Sequence, residues 1–427
     1  MPAQPWSLLR KFCFRFYAIF FAVWIIPIFL EIIPGVNMLM EYVYQGMEAL
    51  SSLVNGWLWH ITPAKLPPNG NGDFPEMWMS IFTFLLLSFI AAFVWSIVDR
   101  KRANHQQLEY WIVLMVRYFI IFNGFSYGLV KLFGLQFPFP NLSQLATPLG
   151  DFLPMRLSWM FLGYSYPYQF FSGAIELFAA LLLLFRPTAS LGALVSGGVF
   201  INVMMLNIGY DIPVKANSIM LVVFSLYLLA HELPRLIAFF FRQEARPSAV
   251  FIFPFETKRG RRIARVVKWF YVLLVLGMNL MMDIGNGGNN QQAKDAPIQQ
   301  GIYDVLEHQV NGRLITPDQP DSVYWQNLVF DVASGGSIKT ADSRFRQRYG
   351  RSYFHYKLDS ATNTIALRKS GTDSLPLMRF HYQYRDSVYL VLTAYPDSAA
   401  RKLLLKRRLK GFPLAEKQFH WISEQNR

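Results

Sequence analysis

A helical membrane bundle of about seven spans, followed by a small, mainly β C-terminal domain with a terminal helix, is the fold class this sequence predicts. Seven apolar stretches reach roughly the 20 residues needed to cross a hydrocarbon layer. The 427 residues are 53% hydrophobic with a mean hydropathy of +0.23, more apolar than an ordinary soluble domain. Beyond about residue 300 no stretch is long enough to span, and short alternating segments take over.

The net charge of +14 does not point to nucleic acid, because the Lys and Arg residues gather in loops between apolar stretches, where they set membrane orientation. The lipid bilayer is the partner the composition implies. One cysteine, Cys13, excludes an internal disulfide, a CxxC redox pair and a thiolate zinc site. Arg10, Lys11 and Arg15 precede the first apolar run, and no small-residue cleavage pattern follows it, so it reads as a retained span.

In chain order, spans are expected near 12–33, 76–98, 108–130, 167–185, 188–208, 214–240 and 265–283. Basic residues fall in alternate loops: the N-terminal tail, Arg100 to Arg102, Arg186, and the run from Arg242 to Arg262. The positive-inside rule then places the N-terminus in the cytoplasm and, after an odd number of crossings, the C-terminus outside, as in a bacterial inner-membrane protein. Between the first two spans, Leu39, Val43, Met47, Leu50 and Val54 recur at helical spacing before Trp57 and Trp59. This is either a helix lying in the interface or a short helix packed on the bundle. PPNGNG (67–72) is turn chemistry.

A transmembrane domain over 1–285 is thus expected, then a Gly- and Asn-rich linker over 286–300 and an extracytoplasmic, mainly β domain over 301–427. Phe380, Tyr382 and Tyr384, and then Tyr389 to Leu392, alternate as half-buried strands do. Asn311-Gly312 and SGGS (334–337) read as turns between strands. Asp397 before an Ala- and Leu-rich run that ends in Lys406, Arg407, Arg408 and Lys410 ahead of Gly411 has the punctuation of a helix.

Charged residues within spans are costly, so they mark the places where function or a structural tie is expected. Arg117 on the third span and Glu176 on the fourth each lie roughly 14 Å from the cytoplasmic edge at ~1.5 Å per residue. Pairing across antiparallel neighbours is the expectation. Gly124 and Lys131 follow Arg117 at steps of seven, and Gly124 with Gly128 forms GxxxG, which permits close helix approach. Asn123, Tyr127, Asn202 and Asn207, with Tyr210, Asp211 and Lys215 in the NIGYDIPVK turn, complete a candidate intramembrane polar site that opens outward. The same residues also fit a structural latch with interhelical hydrogen bonds. No catalytic residue is identifiable among them.

Histidines lie in loops, at a span end or in the outer domain at no ligand spacing, so neither haem nor metal is expected. The sequence contains no P-loop, dinucleotide fingerprint, HExxH or GxSxG motif.

YGLVKLFGLQFPFP (127–140), GAIELFAALLLLFRPTASLGAL (173–194) and NVMMLNIGYDIPVK (202–215) resemble the DoxX-like family of integral membrane proteins, with the core resemblance over about 108–240. Longer members have flanking spans and an ending similar to FHWISEQNR (419–427). The resemblance implies a four-helix membrane core defined by Tyr127, Gly128, Lys131, Gly173, Glu176, Asn202, Asn207, Tyr210, Asp211 and Lys215. That family includes proteins resembling a subunit of thiosulfate:quinone oxidoreductase. The extra spans and the β domain depart from the short family form.

Two functions therefore compete. One is a membrane subunit of a redox system, binding a quinone or small sulfur compound in the cleft, with Glu176 handling protons, Arg117 holding it, and Lys131 and Lys215 attracting an anion. The other is a non-enzymatic scaffold or assembly factor whose outer domain docks a protein partner. A solute transporter is weaker, for lack of paired broken helices.

Overall fold

The computed structural model of the chain describes residues 5–31, 33, 35–63, 72–247, 257–287, 297–332, 334–394, 400–409 and 411–416. Two units emerge: Met1–Gln136 with Tyr166–Asp283, and Phe137–Ser165 with Ile284–Arg427.

The first unit is helical. It contains α1 (Leu8–Glu31), α2 (Asn37–Val54), α3 (Pro75–Val98), α4 (Gln106–Leu132), α7 (Tyr166–Leu184), α8 (Ala189–Gly209), α9 (Lys215–Arg242) and α10 (Lys258–Gly287). Six of these, α1, α3, α4, α7, α8 and α9, are long and apolar enough to cross a membrane among the described residues, and each coincides with an expected span. The expected seventh, α10, forms as a helix but stands outside that set, because Lys258, Arg259, Arg261, Arg262, Arg265 and Lys268 crowd its first half. Aromatic side chains fill the core, with Phe224 edge-on to Phe21 at 4.9 Å and to Phe119 at 5.4 Å between ring centroids. The amphipathic stretch after the first span is α2, whose Leu39 and Leu50 are exposed along with the following Trp57. Most of PPNGNG, and the 419–427 ending, lie outside the described residues.

The second unit is a closed, antiparallel, eight-stranded barrel joined by a segment from the middle of the chain. Its strands are β1 (Gly301–Val310), β2 (Arg313–Leu314), β3 (Asn327–Phe330), β4 (Gly335–Ile338), β5 (Arg346–Arg348), β6 (Arg351–Asp359), β7 (Thr364–Arg368), β8 (Met378–Tyr384), β9 (Tyr389–Ala394) and β10 (Arg401–Arg407). The ring runs β1-β3-β4-β6-β7-β8-β9-β10 and closes through β10 on β1, while β2 and β5 extend β1 and β6 as short ribbons. Closure removes the unpaired edges that an open sheet would expose. Inward residues alternate along the strands, as in Phe380 and Tyr382 on β8 and Leu390 and Leu392 on β9, around Trp325, Phe330 and Phe354. Asn311 (φ +52°) and Gly312 (φ +79°) make the tight turn between β1 and β2, as their sequence requires.

Two local expectations are corrected. The expected terminal helix from Asp397 to Lys410 is replaced by strand β10, whose Arg401, Leu403 and Leu405 face inward while Lys402 and Lys406 face out. Period-two burial and pairing with both β9 and β1 outweigh the helix punctuation, and residues 395–399 lie outside the described set. Among the described residues the one helix after it, α11 (Pro413–Glu416), has four residues. SGGS is not wholly a turn either. Ser334 takes φ +56°, but Gly335–Ile338 is β4, where Gly336 leaves room for the Phe354 ring.

The segment over 137–165 contributes α5 (Leu142–Leu145) and α6 (Pro154–Tyr164) to the barrel unit, although sequence alone places it inside the membrane domain.

Candidate functional site

The polar residues on α4 and α7 come together, but not as the depth argument expects. Glu176, 2% exposed, receives Lys131 Nζ at 2.7 Å on Oε1 and 2.8 Å on Oε2, and Lys131 is itself 7% exposed. Arg117 is not its partner; its Nε donates to the Leu183 carbonyl. The glycines explain the register. A Cβ on Gly124 would lie 2.9 Å from Ala180 Cβ and 3.1 Å from the Glu176 carbonyl, and one on Gly128 would lie 3.1 Å from Leu177 N. Glu176 is therefore level with Gly124 to Gly128, roughly 10 to 16 Å along the axis from Arg117 at ~1.5 Å per residue. Lys131 starts about one turn further on, and helical side chains lean toward the N-terminus, so its stem reaches back to the carboxylate. Gly173 completes the close approach: a Cβ there would meet Gly128 O at 2.6 Å and Lys131 Cβ at 2.8 Å.

Tyr127 belongs to this centre, with Lys131 Nζ 5.5 Å from its ring centroid and its hydroxyl accepting from Asn217 Nδ2 at 3.4 Å. Among the described residues no hydrogen bond or ion pair joins the remaining candidates to it. Asn123 is buried, and its Nδ2 donates to Phe119 O at 2.9 Å within its own helix. Asn202 and Tyr210 are exposed, and Asn207 is buried. Asp211, in the left-handed region at φ +49°, pairs with Lys215 Nζ at 2.6 Å. Asp73, which sequence reasoning did not single out, gathers that turn. Its carboxylate accepts from Lys215 N at 2.6 Å and Ala216 N at 3.0 Å, capping α9 where the helix dipole favours an anion. Arg15 was likewise missed as a buried hub, 2% exposed, with Nε donating to His105 Nε2 at 3.1 Å, Nη1 to Ser96 Oγ at 3.0 Å and Nη2 to Asp99 O at 2.9 Å.

A second candidate lies within the barrel unit. Asp331, 4% exposed, accepts from Leu142 N at 2.8 Å, Ser143 N at 3.2 Å and the Ser143 hydroxyl, so α5 presents its N-terminal donors to a barrel carboxylate. Ser337 Oγ donates to Ser143 Oγ at 2.7 Å, and Arg351 donates from Nε to Ser337 Oγ and from Nη2 to Asn327 Oδ1, both at 2.7 Å. Burial pushes the Asp331 carboxyl above its usual range despite these donors, and lowers the fully buried Arg351 to about 10. Beside this weld is a groove of about 580 Å³ whose lining includes Arg156, Arg346, Arg348, Tyr349, His355 and Lys369. Two of its cations meet one aromatic residue: Arg156 Nε donates to Tyr349 OH at 3.2 Å, and the Arg348 guanidinium lies 4.7 Å from the Tyr349 centroid. Such a surface suits a partner with acidic or polar groups.

Among the described residues no group of three or more His, Cys, Asp or Glu side chains is arranged to hold a metal ion.

Over 128 residues the chain is 36% identical to the uncharacterized protein YwoB of Bacillus subtilis (strain 168), a match covering 30% of this chain and 80% of YwoB. No family model and no solved structure matches.

Proposed function

The chain belongs to the same family as YwoB, and from the groove beside the welded barrel unit we propose a membrane-anchored scaffold or assembly factor whose barrel docks a protein partner outside the cytoplasm. The DoxX-like resemblance is proposed to hold for the bundle of α4, α7, α8 and α9, with Lys131 and Glu176 as its latch. The observation that carries the reading is the attachment of residues 142–143 to Asp331. Two segments separated by more than a hundred residues form one surface, and that surface holds the groove.

The same attachment bears on topology. The 137–165 segment follows α4, and the barrel follows α10. Segments that touch lie on one side of the bilayer, so an even number of crossings separates them. With α7, α8 and α9 as three, α10 is taken as the fourth, a seventh span. With the positive-inside bias, both segments are taken as outside and the N-terminus as cytoplasmic.

Photo-crosslinking residues at Tyr349 and Lys369 in the intact membrane test the docking reading. A discrete protein adduct that persists in Glu176→Gln supports it. Absence of any adduct at both positions removes it.

The redox reading has one observation in its favour, a buried acid–base pair with Tyr127 beside it. It requires saturable binding of a ubiquinone or menaquinone analogue that Glu176→Gln abolishes. Binding that is absent, or unchanged in the variant, ends it.

A further inference from the structure

Arg117, released from its expected partner, lines a cavity of about 1070 Å³ within the helical unit. The other cations of its lining are Arg186, Arg261, Arg265 and Lys268, and no Asp or Glu joins them among the described residues. Lys268 Nζ donates to the Leu184 carbonyl and lies 4.7 Å from the Phe185 ring centroid. Arg117 and Arg186 are near enough to Lys268 to repel it. An anion sharing the hollow offsets the repulsion among such cations. The remainder of the lining is mostly apolar, including Trp111, Leu114, Phe270 and Leu274. Helix α10 reaches its neighbours through long side chains there, such as Tyr271, whose hydroxyl donates to Tyr118 O at 3.2 Å.

A cluster of cations opening onto an apolar slot matches a molecule with an anionic head and hydrocarbon tails. Arg186 follows the end of α7 and Arg261, Arg265 and Lys268 lie in the first half of α10, which the positive-inside rule places toward the cytoplasmic leaflet, where anionic lipids reside, and Arg117 joins them from α4. We propose that this cavity is a specific site for an anionic phospholipid. Its phosphate lies among Arg117, Arg186 and Lys268, and its acyl chains run along Phe270 and Leu274. A bound lipid fills the space between α10 and the bundle and offsets part of the cluster's positive charge. The site is independent of the docking groove and stands whether or not that groove takes a partner.

Native mass spectrometry of the full-length chain released from detergent tests it, with phosphatidylglycerol and phosphatidylcholine of identical acyl chains offered in competition. The wild type is expected to retain phosphatidylglycerol in preference. Arg117→Gln/Lys268→Gln is expected to reduce that preference roughly 25-fold, as two headgroup cations are removed. Arg100→Gln/Lys101→Gln, in a basic loop outside the cavity, leaves it unchanged. Equal retention of the two lipids by the wild type overturns the proposal, and that arm needs no variant to fold. A preference that the cavity variant leaves intact also overturns it, as does inorganic phosphate displacing phosphatidylglycerol at equal concentration, since the tails then contribute nothing.

Discussion

Removing the Glu176 carboxylate alone is predicted to destabilise the bundle far more than removing both members of its ion pair. The Glu176 side chain is 1% exposed and that of Lys131 is 9%, so Glu176→Leu leaves an ammonium with neither water nor a counter-ion. Breaking a buried pair from one side costs about 3–5 kcal/mol, whereas replacing both members with apolar residues is often neutral. For a unit of this size the single substitution corresponds to a fall of roughly 10 °C in the unfolding midpoint. Lys131→Met is expected to fall comparably, because it strands a carboxylate. Lys131→Met/Glu176→Leu should recover most of the loss, giving a coupling energy of at least about 2 kcal/mol. Thermal unfolding of the four proteins in one detergent, followed by size-exclusion chromatography, supplies the cycle. Additive effects, or single variants that each move the midpoint by under ~2 °C, refute the latch. Arg117→Leu serves as an internal comparison, since its guanidinium bonds a carbonyl and not Glu176.

Further outcomes follow from the packing and the barrel unit. Gly173→Ala should destabilise by about 1–3 kcal/mol through overpacking, since its Cβ would sit 2.6 Å from Gly128 O, while Gly198→Ala, with nothing within 4 Å, should be neutral or slightly stabilising in the same unfolding assay. Asp331→Ala should detach the 142–145 helix and expose the 137–153 stretch to limited proteolysis of the full-length chain; an unchanged cleavage pattern would show that the weld is dispensable. His308, buried beside Arg401, has its imidazole pushed down to about 4, first by burial and then by that cation. A depressed base contributes stability that is present above pH ~6.5 and is lost as pH falls through about 4. The barrel should therefore weaken by up to about 3 kcal/mol across that window, and His308→Gln should flatten the dependence seen in tryptophan fluorescence.

The long apolar helices and the alternation in β8 and β9 were legible because each rests on local periodicity, and the Asn311-Gly312 turn because only a few residues tolerate its backbone. The pairing of charges was not, because it depends on helix register. Counting depth from each span's edge matched Arg117 to Glu176, whereas the Gly124, Gly128 and Gly173 contacts slide α7 along α4 until Lys131 is the cation within reach. The glycine motif was visible, but the register it sets was not. Both Lys131 and Glu176 stood among the residues marked by family resemblance, which carries no assumption about depth. Strand β10 was misread because its ends carry helix-like punctuation, and only pairing with β9 and β1 decides the matter. The union of 137–165 with the barrel had no local signal: Ser143 and Asp331 are ordinary polar residues until the fold brings them together.

The account depends on those two distant segments sharing one side of the membrane. Cysteines placed at Leu149 and Leu375, which are 70% and 79% exposed, in a Cys13→Ser background report each segment separately to a membrane-impermeant maleimide added to intact cells. With the outer membrane permeabilised where there is one, both positions are predicted to label, and a cysteine at Lys101 to label only after lysis. Labelling of one of Leu149 and Leu375 without the other would contradict the composite outer unit and the seventh crossing together.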